Sequence, residues 1–291
     1  MPCYNPIQGY RASSGAVFFH EQKRHGETTE IKIACGQCIG CKKTKARDNA
    51  IRITHEQQLH LESCFLTLTY DNEHLPRDLS LYYPHFQRFM RDLRKKHKVR
   101  FYMCGEYGEI TGRPHYHAAI FGYGFNEDKY KWSISNGHQL YRSKELEKLW
   151  KHGNSTIGAL TYDSAQYVAK YIIKKKNGDG EKDYYNILDV TTGEIVPRRK
   201  EFSKQSLKPG IAKEWLQLYW PEIQGGTVLL NGKESAIPKY YRRYLKNTER
   251  FTDIIDKLQG EIRPEDTTEK RLKEREQYDT ITAQLKKRNE E

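Results

Sequence analysis

His115 and His117 stand on either side of one tyrosine in the run Arg113-Pro-His-Tyr-His-Ala-Ala-Ile-Phe121. Side chains alternate on a strand, so the two imidazoles share one face about 7 Å apart along the backbone, with Tyr116 on the other. Two imidazoles so placed can grip one metal ion, although a packed histidine needs none and the chain holds 11 His. Pro114 fits the first residue of a strand, and Ala118 to Phe121 is apolar enough for a central one. Residues 99–104 read as a second strand, and a turn at 110–112 makes the two an antiparallel hairpin that returns Glu106 to the histidines. Glu109, nearer the turn, is the second choice. One carboxylate oxygen and two imidazole nitrogens leave positions open, which suits a divalent cation that also holds a substrate phosphate.

A second constellation is Tyr167-Val-Ala-Lys170-Tyr171-Ile-Ile-Lys174, in a stretch that reads as a helix capped by Asp163 or Ser164. Tyr167 and Tyr171 fall one turn apart on one face, flanked by Lys170 and Lys174. A phenol beside lysines and near a metal can attack a phosphodiester, because the cations stabilise both the phenolate and the charge on phosphorus. Taken alone, the spacing is better explained by packing, and Tyr240 and Tyr244 repeat it beside Arg242 and Arg243, where packing or phosphate contact is the reading.

The third constellation is Cys35-Gly-Gln-Cys38-Ile-Gly-Cys41. Three thiols spaced by two residues suit a tetrahedral zinc site, with Cys3 or a His as fourth ligand. Reduced thiols on a loop and iron–sulfur ligation stay open beside it. A zinc ion there would be structural, clamping the N-terminal arm onto the body.

Certain elements must position these residues. A basic helix is expected over 42–61, from Ala46, Ala50, Ile53, Gln57 and Leu61 at near-helical spacing. Phe65 to Tyr70 alternates as a strand, and Pro84 opens an amphipathic helix with Phe86, Phe89, Met90 and Leu93 on one stripe. A loop is expected over 126–142, a short helix around Leu146 and Trp150, and a strand over 157–162. Further on come a hairpin within 187–196, a helix after Pro209-Gly210, and a strand-turn-strand over 226–233, where the glycine spacing is wrong for a phosphate-binding loop.

The 291 residues carry 50 Lys and Arg against 38 Asp and Glu, a net charge of +12 that points to a polyanion such as nucleic acid. The 21 Tyr add surfaces on which single-stranded bases stack. No run of 18 apolar residues and no signal-peptide pattern occurs, which argues against a membrane. The six Cys then imply a reducing compartment and metal ligation rather than disulfides.

Phe65-Leu-Thr-Leu-Thr-Tyr70, Arg-Pro-His115-Tyr-His117 and Tyr167-Val-Ala-Lys170-Tyr171 stand in the order of the three motifs of rolling-circle replication initiators. The chain resembles the HUH endonucleases, most closely the replication initiators of microviruses of the gokushovirus group. The likeness extends to the Cys35–Cys41 run, Cys104-Gly-Glu-Tyr-Gly108, Pro209-Gly-Ile211 and Pro238-Lys-Tyr-Tyr241. It implies an α+β fold, a ferredoxin- or RRM-like antiparallel sheet with the His strand at its centre and helices packed on it. Four parts are expected: a Cys-rich arm and basic helix (1–62), the endonuclease core (63–176), an accessory part (177–246) and a charged helical or disordered tail (247–291).

The resemblance also implies chemistry. His115, His117 and Glu106 would hold magnesium or manganese on the scissile phosphate of an origin in viral replicative-form DNA. Tyr167 or Tyr171 would attack, leaving a 5′-phosphotyrosine and a 3′-hydroxyl that primes synthesis; the other tyrosine serves when the circle is cut and closed. Lys170 matches the lysine between the tyrosines. Tyr116 departs from the plain apolar residue usual between the histidines, which is tolerable for a ring that can pack. The implied partners are origin DNA, a host helicase and a host DNA polymerase in the cytoplasm of a bacterium. A related transposase or relaxase, and a zinc-stabilised nucleic-acid-binding module without chemistry, are the competing readings.

Overall fold

Three strands within residues 7–18 and 28–33 form a small sheet that their weak periodicity does not announce. β1 (Ile7–Ala12) pairs antiparallel with both β2 (Val17–Phe18) and β3 (Thr28–Ile33). The structure, a computed structural model, describes residues 3–20, 26–108, 111–174, 184–188, 192–223, 225–230, 232–245 and 267–288, with side chains given except at 171–174 and 286–288. The chain divides into two compact units, residues 1–45 with 255–291, and residues 46–254.

Helix α1 (Ile39–Gln57) begins and ends earlier than its spacing suggests, and Leu61 lies exposed beyond it. β4 (Ser63–Tyr70) alternates as expected, burying Cys64, Leu66, Leu68 and Tyr70. α2 (Tyr83–Arg94) starts at a proline, whose missing N–H costs nothing in a first turn, and buries Phe86, Phe89, Met90 and Leu93. β5 (Arg100–Tyr107) runs past its expected end at Cys104, so Gly105, Glu106 and Tyr107 are strand residues too. β6 (Pro114–Phe121) carries the His pair.

The loop expected over 126–142 is instead the hairpin of β7 (Tyr130–Ser135) and β8 (His138–Arg142). Its turn is Asn136-Gly137, with φ of +48° and +76°, the two positive values that a type I′ turn requires. α3 (Lys144–Leu149) follows, capped by Ser143, and then β9 (Gly153–Gly158). That strand stops short of Tyr162 because α4 (Tyr162–Lys174) begins there. The cap of α4 is Thr161, not Asp163 or Ser164: the Ser164 amide donates to Thr161 Oγ1 at 3.2 Å and the Thr161 amide to Ser164 Oγ at 2.8 Å, a reciprocal capping box.

β10 (Asn186–Leu188) and β11 (Ile195–Pro197) form the hairpin expected there. β12 (Phe202–Gln205), α5 (Lys213–Tyr219) with a 3-10 turn after it (Trp220–Ile223), the hairpin of β13 (Thr227–Leu230) with β14 (Lys233–Ala236), α6 (Lys239–Leu245) and α7 (Glu269–Arg288) follow among the described residues.

The main sheet has seven strands in the order β12-β5-β6-β4-β9-β8-β7, antiparallel throughout. Its core packs α2 against Leu66, Leu68, Met103, Tyr116, Ala118 and Ile120. Gly105 sits across from Tyr116, where a Cβ would approach Leu81 to 3.0 Å and Tyr116 to 3.2 Å. The tyrosine between the histidines is therefore accommodated by the absent side chain opposite. Its hydroxyl lies 3.0 Å from that of Tyr70 and accepts the Tyr82 amide at 2.8 Å.

Candidate active site and metal centres

Register builds the site. Glu106 pairs with His115 and Cys104 with His117 across β5 and β6, while Thr67 pairs with His117 across β4 and β6. Paired residues of an antiparallel ladder point to the same face, so Glu106, both histidines and Thr67 converge on the side opposite the α2 core. Glu106 Oε1 lies 2.5 Å from His115 Nε2 and 3.0 Å from His117 Nε2. Glu109 lies outside the described residues.

Each ring is oriented through its other nitrogen. His115 Nδ1–H donates to the Arg113 carbonyl at 3.0 Å, and His117 Nδ1 lies 3.0 Å from Thr67 Oγ1. Both Nε2 atoms are thereby turned to the carboxylate, as rings that bind metal through Nε2 require. With its proton on Nδ1, His115 sets an Nε2 lone pair against a carboxylate oxygen. Two acceptors so close need a proton or a cation between them.

Glu106 is buried, and its Oε2 has no hydrogen bond among the described residues. Burial pushes its pKa up, but the hydrogen bonds to His115 and His117 outweigh this and hold the carboxyl below its ordinary range. One ligand atom from each of the three residues fits within a 4.8 Å group. The donor set and the unpaired oxygen fit a divalent cation with open positions.

α4 packs on β5, β6 and β12 and brings Tyr167 to the His pair. The Tyr167 ring stands edge-on to His117 with centroids 5.0 Å apart, edge-on to Phe65 at 6.2 Å, and is 43% exposed. Lys170 is exposed one turn along. Tyr171 and Lys174 belong to the backbone of the same helix, but their side chains lie outside the described residues. Tyr240 is not at this site: its ring lies under the Arg52 guanidinium at 4.1 Å, while Tyr244 receives a hydrogen bond from Gln217 at 3.1 Å.

In the other unit, the sulfurs of Cys3, Cys35, Cys38 and Cys41 form a second group within 4.8 Å, so the fourth member is Cys3 rather than a histidine. Cys3 and Cys38 Sγ are 3.9 Å apart, against about 3.8 Å for two thiolates on a tetrahedral zinc with 2.3 Å bonds. Backbone N–H groups of Tyr4, Cys35, Cys38 and Cys41 point at these sulfurs over 3.2 to 3.5 Å. Burial raises the pKa of Cys38, but the amides of Cys41 and Tyr4 outweigh it and bring the thiol down to about 7. None of the six cysteines forms a disulfide. Thr67, which orients His117, escaped the sequence reading because a strand threonine carries no signal until register places it.

A sequence model of the family described as replication-associated protein ORF2/G2P matches residues 63–176, which span the His strand and both tyrosines. The replication-associated protein VP4 of Bdellovibrio phage phiMH2K is 34% identical over 260 residues, covering 84% of this chain and 78% of that protein. ORF2 of Spiroplasma virus 4 is 27% identical over 84% of this chain and 81% of its own length, and ORF4 of Chlamydia phage 1 is 28% identical over 78% of this chain and 56% of its own. No solved structure matches. With its His strand and its tyrosine helix inside the family match, and with relatives of this kind aligned over most of its length, the chain belongs to the phage replication-associated proteins, the replication initiators of the microvirus type.

Proposed function

We propose that this initiator is a metal-dependent endonuclease that nicks one strand of replicative-form DNA at the origin, keeps the 5′ end on a tyrosine and later rejoins the ends. The observation that carries the reading is the Tyr167 ring set against His117 at 5.0 Å, beside a carboxylate shared by two imidazoles. A magnesium or manganese ion held by Glu106, His115 and His117 would supply Lewis-acid stabilisation of the charge that develops on the scissile phosphate. The phenol oxygen of Tyr167 attacks phosphorus and the P–O3′ bond breaks. The phenolic proton ends on the departing 3′ oxygen, so one phosphodiester is exchanged for another. Lys170 stabilises the phenolate and the phosphate charge. Tyr171, with Lys174, serves the second transfer that closes the circle.

The released 3′-hydroxyl primes a host DNA polymerase while a host helicase opens the duplex, in the bacterial cytoplasm. The central strands fit a ferredoxin-like endonuclease core, and the four cysteines fit a structural zinc ion. The test is nicking of a supercoiled plasmid carrying the phage origin, with and without magnesium. Wild-type protein should give nicked circles and a covalent adduct only with the metal, and Tyr167→Phe with Tyr171→Phe should abolish both products. Nicking by the double variant would overturn the reading.

A further inference from the structure

The face that carries the histidines continues beyond them toward the far edge of the sheet. Across from His115 and His117 stand Thr69 and Thr67, and across from those, Asn154 and Thr156 on β9. β8 pairs Tyr141 with Ile157, so its neighbour Arg142 turns to the histidine face, where its Nη2 donates to Asn154 Oδ1 at 3.2 Å. The guanidinium carbon lies over Trp132 of β7, 3.7 Å from the ring centroid. Trp132 sits at the bulge between Lys131 and Ser133, and it is 53% exposed; Tyr130, paired with Arg142, is 41% exposed.

The strip from β4 to β7 is thus hydroxyl, amide, arginine and aromatic. None of the residues that these strands turn to this face is acidic: Ser63, Phe65, Thr67 and Thr69; Asn154, Thr156 and Gly158; His138, Leu140 and Arg142; Tyr130, Ser133 and Ser135. Among the described residues the carboxylate paired with the arginine is Glu147, whose Oε1, 4.0 Å from Nη1, also accepts a hydrogen bond from the Tyr130 hydroxyl at 3.4 Å. Trp132 leaves more than half of its surface in solvent beside the arginine, and a base stacks readily on such a pair.

We propose that Trp132 and Arg142 form a base-stacking platform for the single strand that leads away from the His pair. The inference rests on the endonuclease reading for the identity of the strand, and it commits to single-stranded DNA as occupant because the strip combines positive charge with exposed rings. From β6 to β7 the path crosses four strand spacings, about 19 Å. At 3.4 Å per nucleotide of a stacked strand this accommodates up to about six nucleotides.

The test is binding of a fluorescent oligothymidylate of about 20 nucleotides, long enough for one such site, to the full chain. Measuring it without added magnesium or manganese keeps cleavage out of the readout. Trp132→Ala should weaken binding at least about fivefold, with an unchanged far-ultraviolet circular dichroism spectrum because the residue is exposed. Trp132→Phe should restore most of the affinity. Arg142→Ala should weaken binding and reduce the slope of log affinity against log salt by about one. An oligonucleotide carrying 5-iododeoxyuridine should crosslink to the Trp132 peptide. Wild-type affinity in Trp132→Ala overturns the proposal, as does a change confined to self-association, which would make β7 an edge that pairs with a second copy. Because no nicking enters this measurement, failure of the double-tyrosine test leaves its outcome standing.

Discussion

Glu106 and Thr67 show how much chemistry two side chains can add to a His pair. Glu106 is buried, with Oε1 between the imidazoles and Oε2 unpaired among the described residues. Its weight therefore lies in its charge. Glu106→Gln keeps the shape and removes that charge, so manganese affinity measured by calorimetric titration should fall by about 10- to 100-fold and metal-dependent nicking should fall with it, while the melting temperature stays near that of the wild type. Thr67 acts one step further out. Thr67→Val removes the oxygen 3.0 Å from His117 Nδ1, lets the ring turn, and should weaken manganese binding by about 10-fold; Thr67→Ser should restore it. The first effect was legible in the sequence, because nine residues and one turn suffice to bring Glu106 back to His115. The second was not, because Thr67 meets His117 through a strand pairing 50 residues long in sequence.

At the scale of elements, local signals were read where one period governed them and missed where two competed. β4 and α2 follow strict alternation and a clean apolar stripe, and their buried residues are those the pattern names. The β7–β8 hairpin lacks a buried face because β7 is a fully exposed edge strand, β8 is at most half-buried, and Trp132 occupies a bulge. Its Asn136-Gly137 turn was nonetheless a direct signal of a hairpin. α1 shows a different coupling, since its His55 is buried, stacked on Trp215 at 3.5 Å between centroids and 2.8 Å from the Tyr241 hydroxyl. Burial pushes its pKa from 6.5 down to about 3. Below pH 6.5 the unfolded chain takes up a proton that the folded chain refuses, so the folded state loses up to about 1.4 kcal/mol per pH unit as pH falls from 6.5 toward 3. Chemical denaturation at a series of pH values should show this slope, and His55→Asn, which does not titrate, should flatten it. Thr161→Ala, by removing the cap of the tyrosine helix, should cost about 1 kcal/mol in the same measurement.

At the scale of the whole molecule, charge and metal sort the chain into two kinds of stability. Residues 247–291 carry 10 Lys and Arg against 12 Asp and Glu, and their low apolar content suggested a solvated or disordered tail. Yet α7 within that segment buries Leu272 with Tyr4 and Cys38 and sets Asp279 between the Tyr4 hydroxyl at 2.7 Å and Lys43 Nζ at 2.8 Å. Such contacts join residues more than 200 positions apart, beyond the reach of any local pattern. The apolar cluster that holds them consists mainly of the four cysteines with Tyr4, Ile39 and Leu272, too small a core to stand without a staple. The main sheet of the other unit rests instead on a large apolar core, in which truncating Phe89 would cost about 3–5 kcal/mol without any metal being involved. If Cys3, Cys35, Cys38 and Cys41 hold the zinc ion proposed for them, its removal should therefore act on one unit by itself. Cys38→Ser, or treatment with a zinc chelator, should abolish zinc in elemental analysis and should raise amide hydrogen exchange across Glu269–Arg288. Amides of β4, β5 and β6 should keep their protection in the same sample, because their hydrogen bonds lie in a sheet whose core contains no ligand cysteine.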